Sequence, residues 1–181
     1  MNLYGRQYQR RNIEWSQELE WIRVLGEGAA AVSYLCLWTP SVDGAKRQVA
    51  VKQYKHSFTE LTSKNLWREV DVLEGLQHDR IPGYMGHFIV DRDGRRLLCL
   101  VVEYIEGDSL LDVMKTSRWT LHESLQIIHQ LLQIVVYLQS LQPSILHRDI
   151  KPSNILISHR EGIRSVYLID FGTAVDAIHR T

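Results

Sequence analysis

A chain of 181 residues can bury a core of its own, as one domain or two closely packed lobes. With 45% apolar residues, 23% charged ones and 21 basic side chains balanced by 21 acidic ones, nothing in the composition points to a nucleic-acid partner or an anionic membrane surface. Cys36 and Cys99 sit in apolar runs and read as buried free thiols, not as a disulfide or metal site, which fits a cytoplasmic location. The opening MNLYGRQYQRRN has basic residues without the apolar stretch of a secretory signal. The longest apolar run, Leu97 to Val102, suits a buried strand and is too short to be a membrane segment.

Residues 1–19 read as a polar lead-in. From Glu20 the chain turns to short strands: EWIRVL alternates, GEGAAA breaks the alternation, and VSYLCLW resumes it. The polar turn TPSVDGAKR leads into QVAVKQY, so this is a hairpin-rich antiparallel region. Leu66, Val70, Leu73 and Leu76 then recur at helical spacing, predicting a helix that starts between Phe58 and Lys64 and ends near Gln77. Another hairpin follows, GHFIV and RLLCLVVEYI, joined through Asp93-Gly94, a strong turn signal. Beyond Gly107 the character becomes helical. Thr120 and Glu123 form a capping box, with Leu121, Leu125, Ile128, Leu132 and Val135 on one face of a helix running to about Leu141, before Pro143. Short β elements close the chain: ILHRD, NILIS and VYLID.

Four clusters carry chemistry. Gly26-Glu27-Gly28 between two strands reads as a loose turn or as a phosphate-cradling loop, since glycines let backbone N–H groups approach phosphate oxygens. Lys52, in VAVK, reads as a solvent-facing strand lysine unless an acid clamps it, and Glu69 on the following helix is placed to do so. In LHRDIKPSN, Asp149 offers a carboxylate to take a proton from an attacking hydroxyl, Lys151 a cation, and Asn154 an amide oxygen for magnesium. Asp170, in IDFG, ends an apolar strand with a second carboxylate for the same cation. His147, following Ile145 and Leu146, reads as a packing histidine, not as a metal ligand or proton shuttle.

GEG, VAVK, Glu69, HRDIKPSN and DFG, in this order and at these spacings, resemble a eukaryotic-type serine/threonine protein kinase domain. The resemblance covers about residues 20 to 175. Two glycine-loop positions depart from it, Ala31 at the third glycine and Ser33 where valine is usual. It implies an α+β, protein-kinase-like bilobal fold: residues 20–102 as a complete β-rich N-lobe with one helix, 103–108 as the hinge, and 109–181 as a partial helical C-lobe ending in the activation segment. It also implies ATP and Mg2+ as cofactors and transfer of the γ-phosphoryl group to a protein hydroxyl. On the matching positions, Gly26, Glu27 and Gly28 would cover the phosphates, and Lys52, held by Glu69, would contact the α- and β-phosphates. Glu103 and Ile105 would bond the adenine, with Val102 behind it, and Ala50 and Leu156 would sandwich its ring, Ser33 taking the third sandwiching place. Asp149 would orient the hydroxyl and accept its proton late, Lys151 would neutralise the γ-phosphoryl group, and Asn154 and Asp170 would hold Mg2+. Lys151, two residues after Asp149, resembles the serine/threonine enzymes more than the tyrosine ones. Leu73, His147 and Phe171 would stack in an internal spine.

After DFG only TAVDAIHRT remains, so the resemblance implies a chain truncated before the peptide-docking helices. The alternative to an active enzyme is a catalytically impaired, ATP-binding, pseudokinase-like scaffold or interaction module; a small-molecule phosphotransferase is a more distant third. Ile127, Ile128, Leu131, Leu132, Ile134, Val135 and Val136 nearly encircle the helix 121–141, which predicts an exposed apolar face available for self-association or a partner.

Overall fold

The structure, a computed structural model, describes residues 15–41, 44–57, 60–160 and 163–176. A one-turn helix α1 (Trp15–Glu18) is followed by strands β1 (Leu19–Glu27), β2 (Ala31–Trp38) and β3 (Arg47–Tyr54), helix α2 (Glu60–Gly75), and strands β4 (Tyr84–Arg92) and β5 (Arg95–Glu103). Then come β6 (Asp108–Ser109), α3 (Leu110–Thr116), α4 (Leu121–Ser140), β7 (Ile145–Leu146), a 3-10 turn (Pro152–Asn154), β8 (Ile155–Arg160), β9 (Ile163–Leu168) and β10 (Val175–Asp176). This is the α+β composition expected. Two compact units divide the chain: one draws on Asn2–Val70 and Gly83–Tyr104, the other on Asp71–Pro82 and Ile105–Thr181.

In the first unit, five antiparallel strands lie in the order β1-β2-β3-β5-β4. Asp93 and Gly94, the two residues between β4 and β5, both have positive φ (52° and 71°), as a tight two-residue hairpin requires. Cross-strand partners share a face. Ala50 therefore lies with Leu35 and Val102, and Lys52 with Ser33 and Leu100. The opposite face carries Val49 with Cys36 and Glu103, Val51 with Tyr34 and Val101, and Gln53 with Cys99. That second face is closed: Cys36, Trp38, Val49, Val51, Cys99 and Val101 are fully buried in one cluster with Met85 and Trp15. Burying each aliphatic side chain of this size stabilises the fold by roughly 1.5–3 kcal/mol.

The end of the polar lead-in is ordered: Trp15 is helical and buried, and strand pairing begins at Leu19. Residues 1–14 lie outside the described region. One expectation for this unit differs from the structure: β1 does not show a buried face. Trp21, Ile22 and Val24 are 42%, 50% and 52% exposed. The alternation in EWIRVL fails because the register shifts twice, between Trp21 and Arg23 and between Val24 and Gly26, and each extra residue reverses which side chains face inward.

In the second unit, β8 pairs with β9 and β6, and β7 with β10. Ile157, Val166 and Leu168 are fully buried. Helix α4 opens on the expected capping box: the Glu123 amide donates to Thr120 Oγ1 at 3.2 Å, and the Thr120 amide donates to Glu123 Oε2 at 2.9 Å. Its buried residues are Ile127, Ile134 and Leu138, whereas Leu121, Leu125, Ile128, Leu132 and Val136 are more than half exposed. Of the stripe that the sequence marks as a single apolar face, Leu121, Leu125, Ile128 and Leu132 thus point outward, while Val135 is half-buried and Val136 takes its place on the exposed side. A helix apolar on most sides offers two inner faces, and Gln130 fixes the choice. Its Nε2 donates to the Arg164 carbonyl at 3.2 Å and its Oε1 accepts from the Val166 amide at 3.1 Å, tying that side to β9. Among the described residues no helix is long and apolar enough to cross a membrane.

Candidate active site

The site residues expected from the sequence fall into both units. Gly26, Glu27, Gly28, Ala50, Lys52, Glu69 and Glu103 belong to the first, and Ile105, Asp149, Lys151, Asn154, Leu156 and Asp170 to the second.

In the first unit, the turn after β1 closes through the Gly28 amide, which donates to the Ala31 carbonyl at 2.9 Å. A Cβ on Gly26 would meet nothing within 4 Å, and one on Gly28 only the Ala31 oxygen at 3.8 Å, so no neighbouring protein atom demands glycine there. The Glu27 carboxylate faces Lys55 Nζ at 2.6 Å, an exposed pair of small energetic weight. Lys52 projects from β3, and its Nζ reaches both Glu69 carboxylate oxygens, at 2.9 and 3.0 Å. The Glu69 side chain is 2% exposed and that of Lys52 17%. Tyr54 Oη also donates to Glu69 Oε2, and the ammonium lies 5.3 Å from the Tyr54 ring centre. The tyrosine is a third member of the pair that sequence reasoning missed. At the end of β5, the Glu103 amide donates to the Gly83 carbonyl at 2.8 Å, and Ala50 stands opposite Val102.

In the second unit, the loop after β7 and the 3-10 turn that ends it gather Asp149, Lys151 and Asn154. Lys151 Nζ donates to Asp149 Oδ2 at 2.7 Å. Asn154 Nδ2 donates to the same oxygen at 3.0 Å and to the Asp149 carbonyl at 2.9 Å, which leaves the amide oxygen as the group it offers elsewhere. The Lys151 ammonium holds the Asp149 carboxyl below its ordinary range, Asn154 adds to that, and the charge of Asp170 opposes it. Asp170 has φ 64° and Arg148 φ 68°, left-handed conformations that non-glycine residues adopt at a cost of roughly 1–2 kcal/mol each.

His147 links these two stretches. Its ring packs edge-on against Phe171, centroids 4.7 Å apart, and the residue is 3% exposed. It packs as expected and also carries two hydrogen bonds to backbone groups. The Asp149 amide donates to Nδ1 at 3.3 Å, so Nε2 carries the proton and donates to the Ile169 carbonyl at 3.1 Å. Leu73, the third expected member of the spine, is also buried. Leu156 lies in β8 opposite Tyr167 and Ser109, and Ile105 is buried. A cavity lined by His122, Glu123, Gln126, His129, Gln130 and Arg164 on α4 and β9 contains none of these groups.

The depressed Asp149 pKa has a pH consequence. Ionised Asp149 contributes stability above the ordinary carboxylate value of 3.8, and this is lost as pH falls through the lower folded-state value. Acid titration of the fold is expected to be steeper below about pH 4 in the wild type than in Asp149→Asn; equal slopes would contradict the assignment.

The description "protein kinase domain" matches residues 19–181. The chain is 35% identical over 158 residues to the tyrosine-protein kinase JAK1 of Danio rerio, which covers 85% of this chain and 13% of that protein. It is 32% identical over 162 residues to the serine/threonine-protein kinase nekl-2 of Caenorhabditis elegans, covering 84% of this chain and 43% of that one. It is 33% identical over 141 residues to the mitogen-activated protein kinase pmk-2 of the same organism, covering 77% and 32%. The chain thus spans less than half the length of each of these relatives. With the lysine–glutamate pair, the Asp149 cluster and the Asp170 turn already in place, the match over residues 19–181 makes this chain a member of the protein kinase family.

Proposed function

We propose that this chain carries the ATP-handling apparatus of a serine/threonine protein kinase, with residues 20–102 as N-lobe, 103–108 as hinge and 109–181 as partial C-lobe. The observation that carries the reading is the Asp149 cluster: a carboxylate bonded by a cation and an amide, within electrostatic reach of a second carboxylate. Lys151 two residues after Asp149 supports the serine/threonine class. Asp149 accepts the proton of the protein hydroxyl as its oxygen bonds to the γ-phosphorus and the bond to the bridging oxygen of ADP breaks. Lys151 offsets the charge on the transferring oxygens, and Lys52, aimed by Glu69, holds the α- and β-phosphates.

The open space at Gly26 and Gly28 fits a loop that admits phosphate oxygens to its backbone N–H groups. Asn154 and Asp170 supply oxygen donors of the kind Mg2+ takes, and Mg2+ would neutralise phosphate charge there. Glu103 and Ile105 contact the adenine, and Ala50 and Leu156 flank it. The two buried free thiols, Cys36 and Cys99, support a cytoplasmic location.

The test mixes the chain with Mg-ATP and a generic basic protein. Transfer of the γ-phosphate supports the enzyme. A rise in melting temperature without transfer supports the scaffold instead, and the absence of both overturns the nucleotide reading.

The outward stripe Leu121, Leu125, Ile128, Leu132 and Val136 is the surface through which we propose the chain associates with itself or a partner. Sedimentation is expected to show concentration-dependent mass, reduced by Leu125→Glu with Leu132→Glu. A monomer at all concentrations that leaves an environment-sensitive dye dark would contradict it.

A further inference from the structure

The family match begins at residue 19, yet the residues just before it are built into the sheet. Trp15 is 3% exposed and lies against Trp38, ring centroids 4.9 Å apart at 40°. Its seat is shaped for an indole. Gly86 in β4 has no side chain, and a Cβ there would stand 2.8 Å from Trp15 Nε1 and 3.0 Å from Cζ2. A β-bulge between Tyr84 and Gly86 accompanies this gap. Three residues on, at the far end of the same helical turn, the Glu18 carboxylate takes two donors. Trp38 Nε1 donates to Oε2 at 2.8 Å, and the Ser41 amide donates to Oε1 at 3.2 Å. The Glu18 carbonyl also accepts from the Thr39 amide at 3.0 Å. An apolar anchor and an acceptor at i and i+3 project to the same side of a helix, so one turn makes both contacts at once.

What this turn covers is unusual for a sheet whose other face carries Lys52. Val49, Val51 and Val101 are apolar, Cys36 and Cys99 add only weakly polar thiols, and all five are fully buried in the cluster that Trp15 completes. A four-residue helix is far below the length that is stable alone, so tertiary contacts hold this one in place. We propose that the sheet face opposite Lys52 is a docking groove for a Trp-x-x-Glu turn, and that its occupant is the chain's own Trp15–Glu18. The inference is independent of the catalytic reading: it concerns the face away from Lys52 and predicts its exposure, not phosphate transfer.

The two free cysteines report on it. Both lie in the covered cluster, and burial pushes both thiols up to about 12, so the native chain should react very slowly with a thiol reagent. In the full chain, Trp15→Ala is expected to lower the melting temperature by on the order of 10 °C and to speed thiol labelling at neutral pH at least about tenfold through local opening. An excess of a synthetic peptide of residues 13–20 should slow labelling of that variant again while leaving the wild type unchanged. If Trp15→Ala labels and melts like the wild type, or labels fast but gains no protection from the peptide, the groove assignment fails. Should Trp15→Ala not fold, Glu18→Ala decides. It keeps the indole but loses the bonds to Trp38 and Ser41, so it should label a few-fold faster, and unchanged labelling there overturns the proposal.

Discussion

Asp149→Asn is expected to leave the chain folded and still stabilised by Mg-ATP, while phosphate transfer to a basic protein falls roughly a thousandfold. The fold should survive because the replaced group is partly exposed, with 33% of its side chain accessible. Its backbone bond to His147 Nδ1 and its carbonyl bond to Asn154 do not depend on side-chain charge. An asparagine oxygen can still accept from Lys151. What disappears is the negative charge and, with it, the capacity to take a proton at neutral pH. Because Lys151 holds the Asp149 pKa low, the carboxylate is fully ionised but weakly basic. Such a base gains most when the attacking oxygen has already given up charge to phosphorus, so under the proposed function proton transfer is expected to come late. Assay of initial rates beside thermal melts separates the two effects. Transfer that persists in Asp149→Asn removes the carboxylate from the mechanism.

Lys52→Met should produce the largest loss of stability, roughly 3–5 kcal/mol by chemical denaturation. The methionine fills nearly the same volume, so packing contributes little to the change. The cost arises at Glu69, which is 2% exposed and would keep only the Tyr54 hydroxyl as a partner among those described. A buried carboxylate stripped of its cation is far costlier than the intact pair is favourable. The double variant Lys52→Met with Glu69→Leu should therefore recover much of the loss, a coupling that two independent sites would not show. Both variants should lose nucleotide-induced stabilisation, because the ammonium is absent from each. If Lys52→Met keeps full ATP stabilisation, the phosphate contact is wrong; if it keeps full stability, the burial of Glu69 is.

Much of this was legible in the sequence where local chemistry fixes local geometry. Asp93-Gly94 names its own turn, and Thr120 with Glu123 names its own helix start, because each signal and its partner lie within three residues. The residue types in LHRDIKPSN and IDFG likewise mark a place where charges are wanted. The misses share a different cause. Trp15 sits among polar neighbours, and its burial depends on a gap at Gly86, seventy-one positions away. The outward stripe of α4 has the same apolar period as its inward one, and only Gln130 bonding to β9 distinguishes them. The strand β1 alternates correctly as text, but its two register shifts cancel the alternation in space. The packing reading of His147 holds, with its ring against Phe171, but its hydrogen bond was not legible, because the acceptor, the Ile169 carbonyl, arrives from twenty-two residues downstream.

Those register shifts in β1 also guard the molecule in solution. An outermost strand displaying Trp21, Ile22 and Val24 would ordinarily invite another chain to zip onto it and seed fibrils. Among the described residues, two interruptions within nine positions leave no straight run of edge N–H and C=O groups long enough to template such growth, so the edge can stay greasy without becoming adhesive.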